Sequence, residues 1–294
     1  MNKGIKLLLA IAAFGLLTGA CQNKAQADND NREARLFPAS AEEEDVADAQ
    51  GDTELTMVGS IPLGARALID AYPDFITGYR DGKVIFKDGS QMVYDDGRKK
   101  DFAYMLDNSD LEDMFYVPYR QPNTEPAYQE DAGRSRNEAL FKKMYGNSAA
   151  AVQRNLVSVP WFGQTVKFTS VNGAAEQLKK VCDELAQHPE LRKYLKSSGT
   201  FYWRPVRGAK RQSAHSYGIA FDIGVDFSDY WLWKNKGATE NSKLKYANRY
   251  PRAIVDIFEK HGFIWGGSWY HYDTMHFEYR PEILRYAVLM NESD

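Results

Sequence analysis

The stretch SAHSYGIAFD, Ser213 to Asp222, decides how the second half of the chain is read. Its end runs into IAFDIGVDF, where Ile219, Phe221, Ile223 and Val225 alternate with Ala220, Asp222 and Gly224. A period of two with one apolar set predicts a strand with one buried face and puts Asp222 on the other face. His215 lies in the loop that feeds this strand, and Gly218 permits a tight turn there. The two side chains can therefore meet where the strand begins.

A second stretch repeats the pairing of acid and histidine. FIWGGSW, a short YHYD link and MHFEYR predict strand, turn, strand between Phe263 and Arg280. His276 and Glu278 share one face, Phe277 and Tyr279 the other, and Asp273 falls in the turn. Set side by side, the two strands offer His215, Asp222 and His276 to one point. Two imidazoles and a carboxylate suit Zn²⁺, with ligand distances of roughly 2.0 to 2.2 Å and a fourth position left open for catalysis. Asp273, three residues before His276, is placed to act as general base.

SAHSYGIAFD has the Ser-x-His-x-x-Gly-x-Ala-x-Asp form of the VanY-type zinc peptidases. These belong to the LAS superfamily of D-alanyl-D-alanine peptidases, L-alanyl-D-glutamate endopeptidases and hedgehog-like domains. GGSWYHYDTMHFE resembles their second motif, and the likeness covers about residues 170 to 290. The resemblance implies an α+β fold, a small antiparallel sheet flanked by helices. It implies His215, Asp222 and His276 as zinc ligands, Asp273 as the base, and peptides of the cell wall as substrate. Aspartate at 273 looks more like the L-alanyl-D-glutamate endopeptidase branch than the carboxypeptidase branch. Family members also use an arginine upstream of the first histidine to hold a carboxylate or oxyanion. Arg204, Arg207 and Arg211 all qualify, and Arg204, flanked by aromatics and a proline, is favoured. Arg204, Arg211, Ser213 and Trp269 are the expected substrate-side residues. Ser213 is also read as shaping its loop by a local hydrogen bond, and Trp269 as either a cleft wall or core packing.

Composition agrees with an exported globular protein. The 294 residues are 44 % hydrophobic and rich in aromatics, enough for a sizeable core. A net charge of -3 leaves no broad basic field for nucleic acid. MNKGIKLLLAIAAFGLLTGAC begins with Lys3 and Lys6 and an apolar run too short to span a bilayer, an export signal over residues 1–20. LTGAC resembles the lipobox of bacterial lipoproteins, with Thr18 where leucine is commoner, so Cys21 is the expected lipidated residue. A plain secretory signal cleaved near Ala20 is the alternative. Residues 21–56, acidic and poor in apolar side chains, are expected to be a disordered tether. Residues 57–165 are an accessory N-terminal region and 166–294 the zinc peptidase domain. The expected location is the periplasmic side of a bacterial membrane, with Gln22 favouring the outer one. The expected partners are wall peptides and, through the lipid alone, a membrane; the expected state is a monomer.

The remaining signals are structural. Cys182 in AAEQLKKVCDELAQ follows helical spacing and reads as a core thiol, leaving no disulfide pair once Cys21 is acylated. A helix is predicted from Ala174 to about Ser198, with a break near Pro189, and others over IPLGARALIDAYPDF, RYPRAIVDIFEKHG and PEILRYAVLM. KVIFKDGSQMVYDDG predicts a hairpin about Asp88-Gly89. His188 reads as solvated and His261 as a helix-end residue. His271 faces the cleft or orients a ligand. Glu278 supports a ligand or pairs with an arginine. Trp231 and Trp233 cover either the core or the cleft. Segment 101 to 160 shows no chemistry. Beside the enzyme stands one other class of function: a lipid-anchored binder of wall peptides whose zinc site does not turn over.

Overall fold

The alternating apolar residues of the two motif strands form the centre of the molecule. The computed structural model describes residues 60–122 and 125–293; the signal segment, Cys21 and the 21–56 tether lie outside the described residues. Helix α1 (Leu63–Ala71) precedes an antiparallel sheet of β1 (Ile76–Arg80), β2 (Lys83–Phe86) and β3 (Gln91–Val93). Short helices α2 (Phe102–Asp107), α3 (Glu138–Tyr145) and α4 (Ala149–Gln153) lead to a hairpin of β4 (Leu156–Trp161) and β5 (Gln164–Thr169). After α5 (Ala174–Leu185) come β6 (Ser197–Gly199), β7 (Ala220–Ile223), helices α6 (Trp231–Lys234) and α7 (Arg252–Lys260), β8 (Phe263–Trp265) and β9 (His276–Tyr279). These four strands make one antiparallel sheet in the order β6-β7-β9-β8, and α8 (Pro281–Ser293) closes the chain. The fold is α+β, with small antiparallel sheets flanked by helices.

The register of the central sheet explains the site. Asp222 pairs with His276, Phe221 with Phe277 and Ala220 with Glu278. Directly opposed residues point to the same face, so Phe221 and Phe277 go to the core while Asp222, His276 and Glu278 go to the other face. The core face is closed by α7, whose Phe258 stacks on Phe277 with ring centroids 3.9 Å apart. Trp161 of β4 meets Phe221 edge to face at 4.6 Å and donates its Nε1–H to the Leu195 carbonyl. Burying side chains of this size contributes about 1.5–3 kcal/mol each. One continuous apolar cluster runs from Ala65 to Leu289, and α1 packs against α8. The 57–165 and 166–294 segments therefore share their core, and the β4–β5 hairpin runs across the division between them.

Two expectations need correction. The helix predicted over 174–198 ends at Leu185; a 3₁₀ turn over Pro189–Tyr194 and strand β6 follow. Pro189 supplies no N–H, and it forces His188 out of helical geometry, at φ -118° and ψ 73°. The alternation through Val225 stops at Ile223, because Gly224 at φ +55° turns the chain and leaves Val225 45 % exposed. The hairpin of β2 and β3 forms as expected, with β1 added as a third strand.

Candidate metal centre

His215 sits in a 3₁₀ turn over Ala214–Tyr217 that Gly218 closes at φ +67°. A Cβ at Gly218 would lie 2.5 Å from Leu156 Cδ2, so the loop approaches the β4–β5 hairpin as only glycine allows. The loop is tied from within by Ser216, whose Oγ accepts from Arg204 N at 3.0 Å and lies 2.9 Å from the Arg204 carbonyl. Ser213 takes part through its backbone, with its N–H donating to the same carbonyl at 3.1 Å. Sequence reading missed Ser216, although its place between His215 and Gly218 is the one local signal available.

Each imidazole is oriented by an acceptor behind it. Thr200 O lies 2.6 Å from His215 Nδ1, so Nδ1–H donates there and Nε2 is left as a lone pair. That Nε2 is 3.2 Å from Asp222 Oδ2. His276 Nε2–H donates to Glu278 Oε1 at 3.0 Å, which turns Nδ1 toward Asp222 Oδ1 at 2.9 Å. Donor atoms of His215, Asp222 and His276 all lie within 4.8 Å of one another. Two donors on a tetrahedral ion with bonds near 2.05 Å stand about 3.3 Å apart, close to both separations. The two nitrogens and one carboxylate thus fit a divalent metal ion in chemistry and in spacing.

The electrostatics suit a cation. Burial raises the Asp222 carboxyl, but His215 and His276 outweigh it and hold it well below the usual carboxylate range. Burial lowers the His276 imidazole, yet hydrogen bonds to Asp222 and Glu278 lift it to about 10. Burial likewise raises Glu278, and Arg136, His276 and Arg280 together bring it far down. Asp273 behaves oppositely. Burial pushes it up to about 7, against a weaker pull from His276. Its Oδ1 is buried with no hydrogen-bond partner among the described residues, although the residue lines the same cleft as the three donors.

That cleft has a volume of about 230 Å³. Every residue singled out from the sequence as catalytic, substrate-binding or metal-binding lines it: Arg204, Arg211, Ser213, His215, Asp222, Trp269, Asp273 and His276. Arg204 and Arg207 are exposed at its mouth, and no carboxylate among the described residues is paired with either. Arg211 is buried and donates to Asp107 Oδ1 at 2.7 Å, so part of its guanidinium is already engaged. Trp269 anchors its Nε1–H on Ala132 O at 2.7 Å and lies 5.7 Å, centroid to centroid, from the His276 ring. Trp231 and Trp233 both line the cleft, Trp231 buried and Trp233 at 51 % exposure.

The chain outside the two motifs supplies more of the wall than its sequence suggests. Arg134 and Arg136, from the 101 to 160 segment that showed no chemistry, also line the cleft. Asp131 accepts from the His271 ring at 2.6 Å and from its backbone N–H at 2.9 Å. Asp131, Glu240 and His271 also bring three donor atoms within 4.8 Å. Here the Arg134 guanidinium bridges Asp131 and Glu240 at 2.8 to 2.9 Å, so the cluster already holds its cation. His261 pairs with Glu184 at 2.9 Å at the end of α7, and Cys182 is buried on α5.

No curated protein and no solved structure matches the chain. Residues 207–279 match a family model described as D-alanyl-D-alanine carboxypeptidase, a segment of about a quarter of the chain. It contains His215, Asp222, Asp273 and His276 but neither Arg204 nor Arg136. With both motifs inside it, the match supports the VanY-type peptidases as the family of this segment.

Proposed function

We propose that the chain is a zinc-dependent peptidase that hydrolyses peptide bonds in peptidoglycan stem peptides. The observation that carries this reading is the convergence of His215 Nε2, Asp222 and His276 Nδ1, beside a buried Asp273 carboxyl oxygen that has no hydrogen-bond partner among the described residues. His215, Asp222 and His276 would hold the ion. When bound, zinc would supply a Lewis acid for the scissile carbonyl and would make water a usable nucleophile at neutral pH.

The chain's own residues do the rest. Asp273 takes a proton from the attacking water and gives it to the leaving amine. A carboxyl placed at about 7 by burial can do both, because a proton carrier works best near the operating pH. Arg204 at the mouth grips a substrate carboxylate with two hydrogen bonds, and Arg207 offers a second guanidinium there. Trp269 and Trp231 wall the cleft and limit water. The family description favours the D-Ala-D-Ala carboxypeptidase reaction, and aspartate at 273 favours the L-Ala-D-Glu endopeptidase reaction. In this reading the protein is exported and held by a lipid on Cys21 at the periplasmic side of a bacterial membrane, with the outer one favoured.

Mass spectrometry of purified muropeptides incubated with wild type and Asp273→Ala, both with zinc, tests the reading. Cleavage by wild type alone supports it. Loss of a terminal alanine names a carboxypeptidase, and a product beginning with glutamate names an endopeptidase. Zinc bound without cleavage by either protein would move the function to wall-peptide binding.

A further inference from the structure

We infer that the segment from Gly133 to Phe141 is an integral part of the metal centre, and that Arg136 is a positioning residue that holds Glu278 so that His276 can present Nδ1. The inference rests on the zinc reading above. His276 can ligate through Nδ1 only if its Nε2–H has a fixed acceptor, and Glu278 Oε1 is that acceptor. Glu278 is itself 1 % exposed, so its orientation is set by protein groups and not by water. A guanidinium holds each of its oxygens: Arg136 Nη1 donates to Oε1 at 3.0 Å and Arg280 Nη1 to Oε2 at 3.1 Å.

Neither arginine is loose. Arg280 Nη1 also donates to the Gly133 carbonyl at 2.6 Å, and its guanidinium lies over the Phe141 ring, 5.0 Å from the centroid. Its Nε–H donates to Glu282, which accepts in turn from the Tyr72 hydroxyl just after α1. Arg136 reaches the edge of the other motif as well, since its Nη2 lies 3.5 Å from the Gln212 carbonyl at the head of the His215 loop. One side chain from outside the family-matched segment thus touches Glu278 of the second motif, 142 positions away, and the residue just before the first. Without Arg136, Glu278 Oε1 is left with the His276 ring alone while Arg280 still holds Oε2, so the buried carboxylate is under-compensated and fixed from one side only. Loss of Arg136 therefore acts on the metal through His276.

The test is zinc affinity, measured on the purified full-length protein by competition with a chromophoric chelator. Arg136→Met is expected to weaken zinc binding by about 10- to 100-fold, the usual effect of losing a group that orders a ligand. Arg136→Lys, which restores the charge, is expected to recover most of that loss. Thermal melts in chelator separate the two roles: if Arg136 only packs, the metal-free protein is destabilised while zinc affinity stays at the wild-type value, and that result overturns the inference. Hydrogen exchange on the unmodified protein gives an answer even if Arg136→Met does not fold. Zinc is expected to slow exchange at 133–141 together with 214–223 and 276–280; protection confined to the latter two would refute it. Wild type that binds no zinc would instead sink the metal reading.

Discussion

Replacing Asp273 by asparagine should stabilise the metal-free protein while abolishing turnover. The carboxyl is pushed from its ordinary 3.8 up to about 7, chiefly by burial. Between those two values the unfolded chain gives up its proton while the folded chain keeps it, so stability falls as pH rises from about 4 to about 7. Above pH 7 the full penalty applies. At about 1.4 kcal/mol per pH unit over roughly three units, it amounts to about 4 kcal/mol. Asparagine carries no charge, but it leaves a buried amide short of a partner, at a cost of about 1–3 kcal/mol. The net gain expected at pH 8 is therefore about 1–3 kcal/mol, shrinking toward zero and reversing as pH falls to 4. Urea titrations in chelator at pH 4.5, 6 and 8 measure it. A bound dication would favour the ionised carboxylate, so the gain should be smaller with zinc present. In the same samples kcat should fall by at least about 100-fold, the lower end of the effect of losing a general base. A variant no more stable than wild type at pH 8, with the same pH slope, would refute the burial argument. Retention of most turnover would refute the assignment of Asp273 as base.

Two further outcomes are expected. In the metal-free protein His276 is lifted to about 10, so at pH 8 its proton must leave before zinc can bind. Calorimetric zinc titrations in buffers of different ionisation enthalpy should show about one proton released per zinc at pH 8, and affinity should weaken about tenfold per unit as pH falls from 9 to 8. Zero proton release would contradict a protonated His276 in the metal-free protein. Arg204→Ala should lower kcat/KM by about 10- to 100-fold through the lost charged hydrogen bonds, about 1.5–3 kcal/mol, while zinc content stays at wild type. An unchanged kcat/KM would shift the substrate contact to Arg207, also exposed at the mouth.

The sequence by itself determined the two motif strands and the face of each on which Asp222 and His276 stand. The alternation through Phe221 and Ile223, the phase of His276 against Phe277, and the glycine at 218 are all local, because a strand's period of two assigns each side chain to a face whatever surrounds it. Even there Gly224 cut the alternation one residue before Val225. The α7 and α8 helices were legible for a similar reason: an apolar stripe and a proline start leave a mark within about ten residues. The break after Leu185 was half legible, since Pro189 announces an interruption but not the strand that follows it.

Only the tertiary structure decided what stands behind the candidate ligands. DAGRSR, residues 131–136, has no period, no metal-ligand spacing and no resemblance to the motifs, yet it supplies Asp131 to His271 and Arg136 to Glu278. Those pairings join residues 140 and 142 positions apart, and they exist because α1, α8 and the β4–β5 hairpin close one core around both halves of the chain. Buried charges find partners wherever packing brings them, not at any fixed spacing. Asp222 and His276 project from neighbouring strands and are constrained by the geometry of those strands, so their faces can be read from sequence. The groups that orient them are constrained only by the folded core, so they cannot.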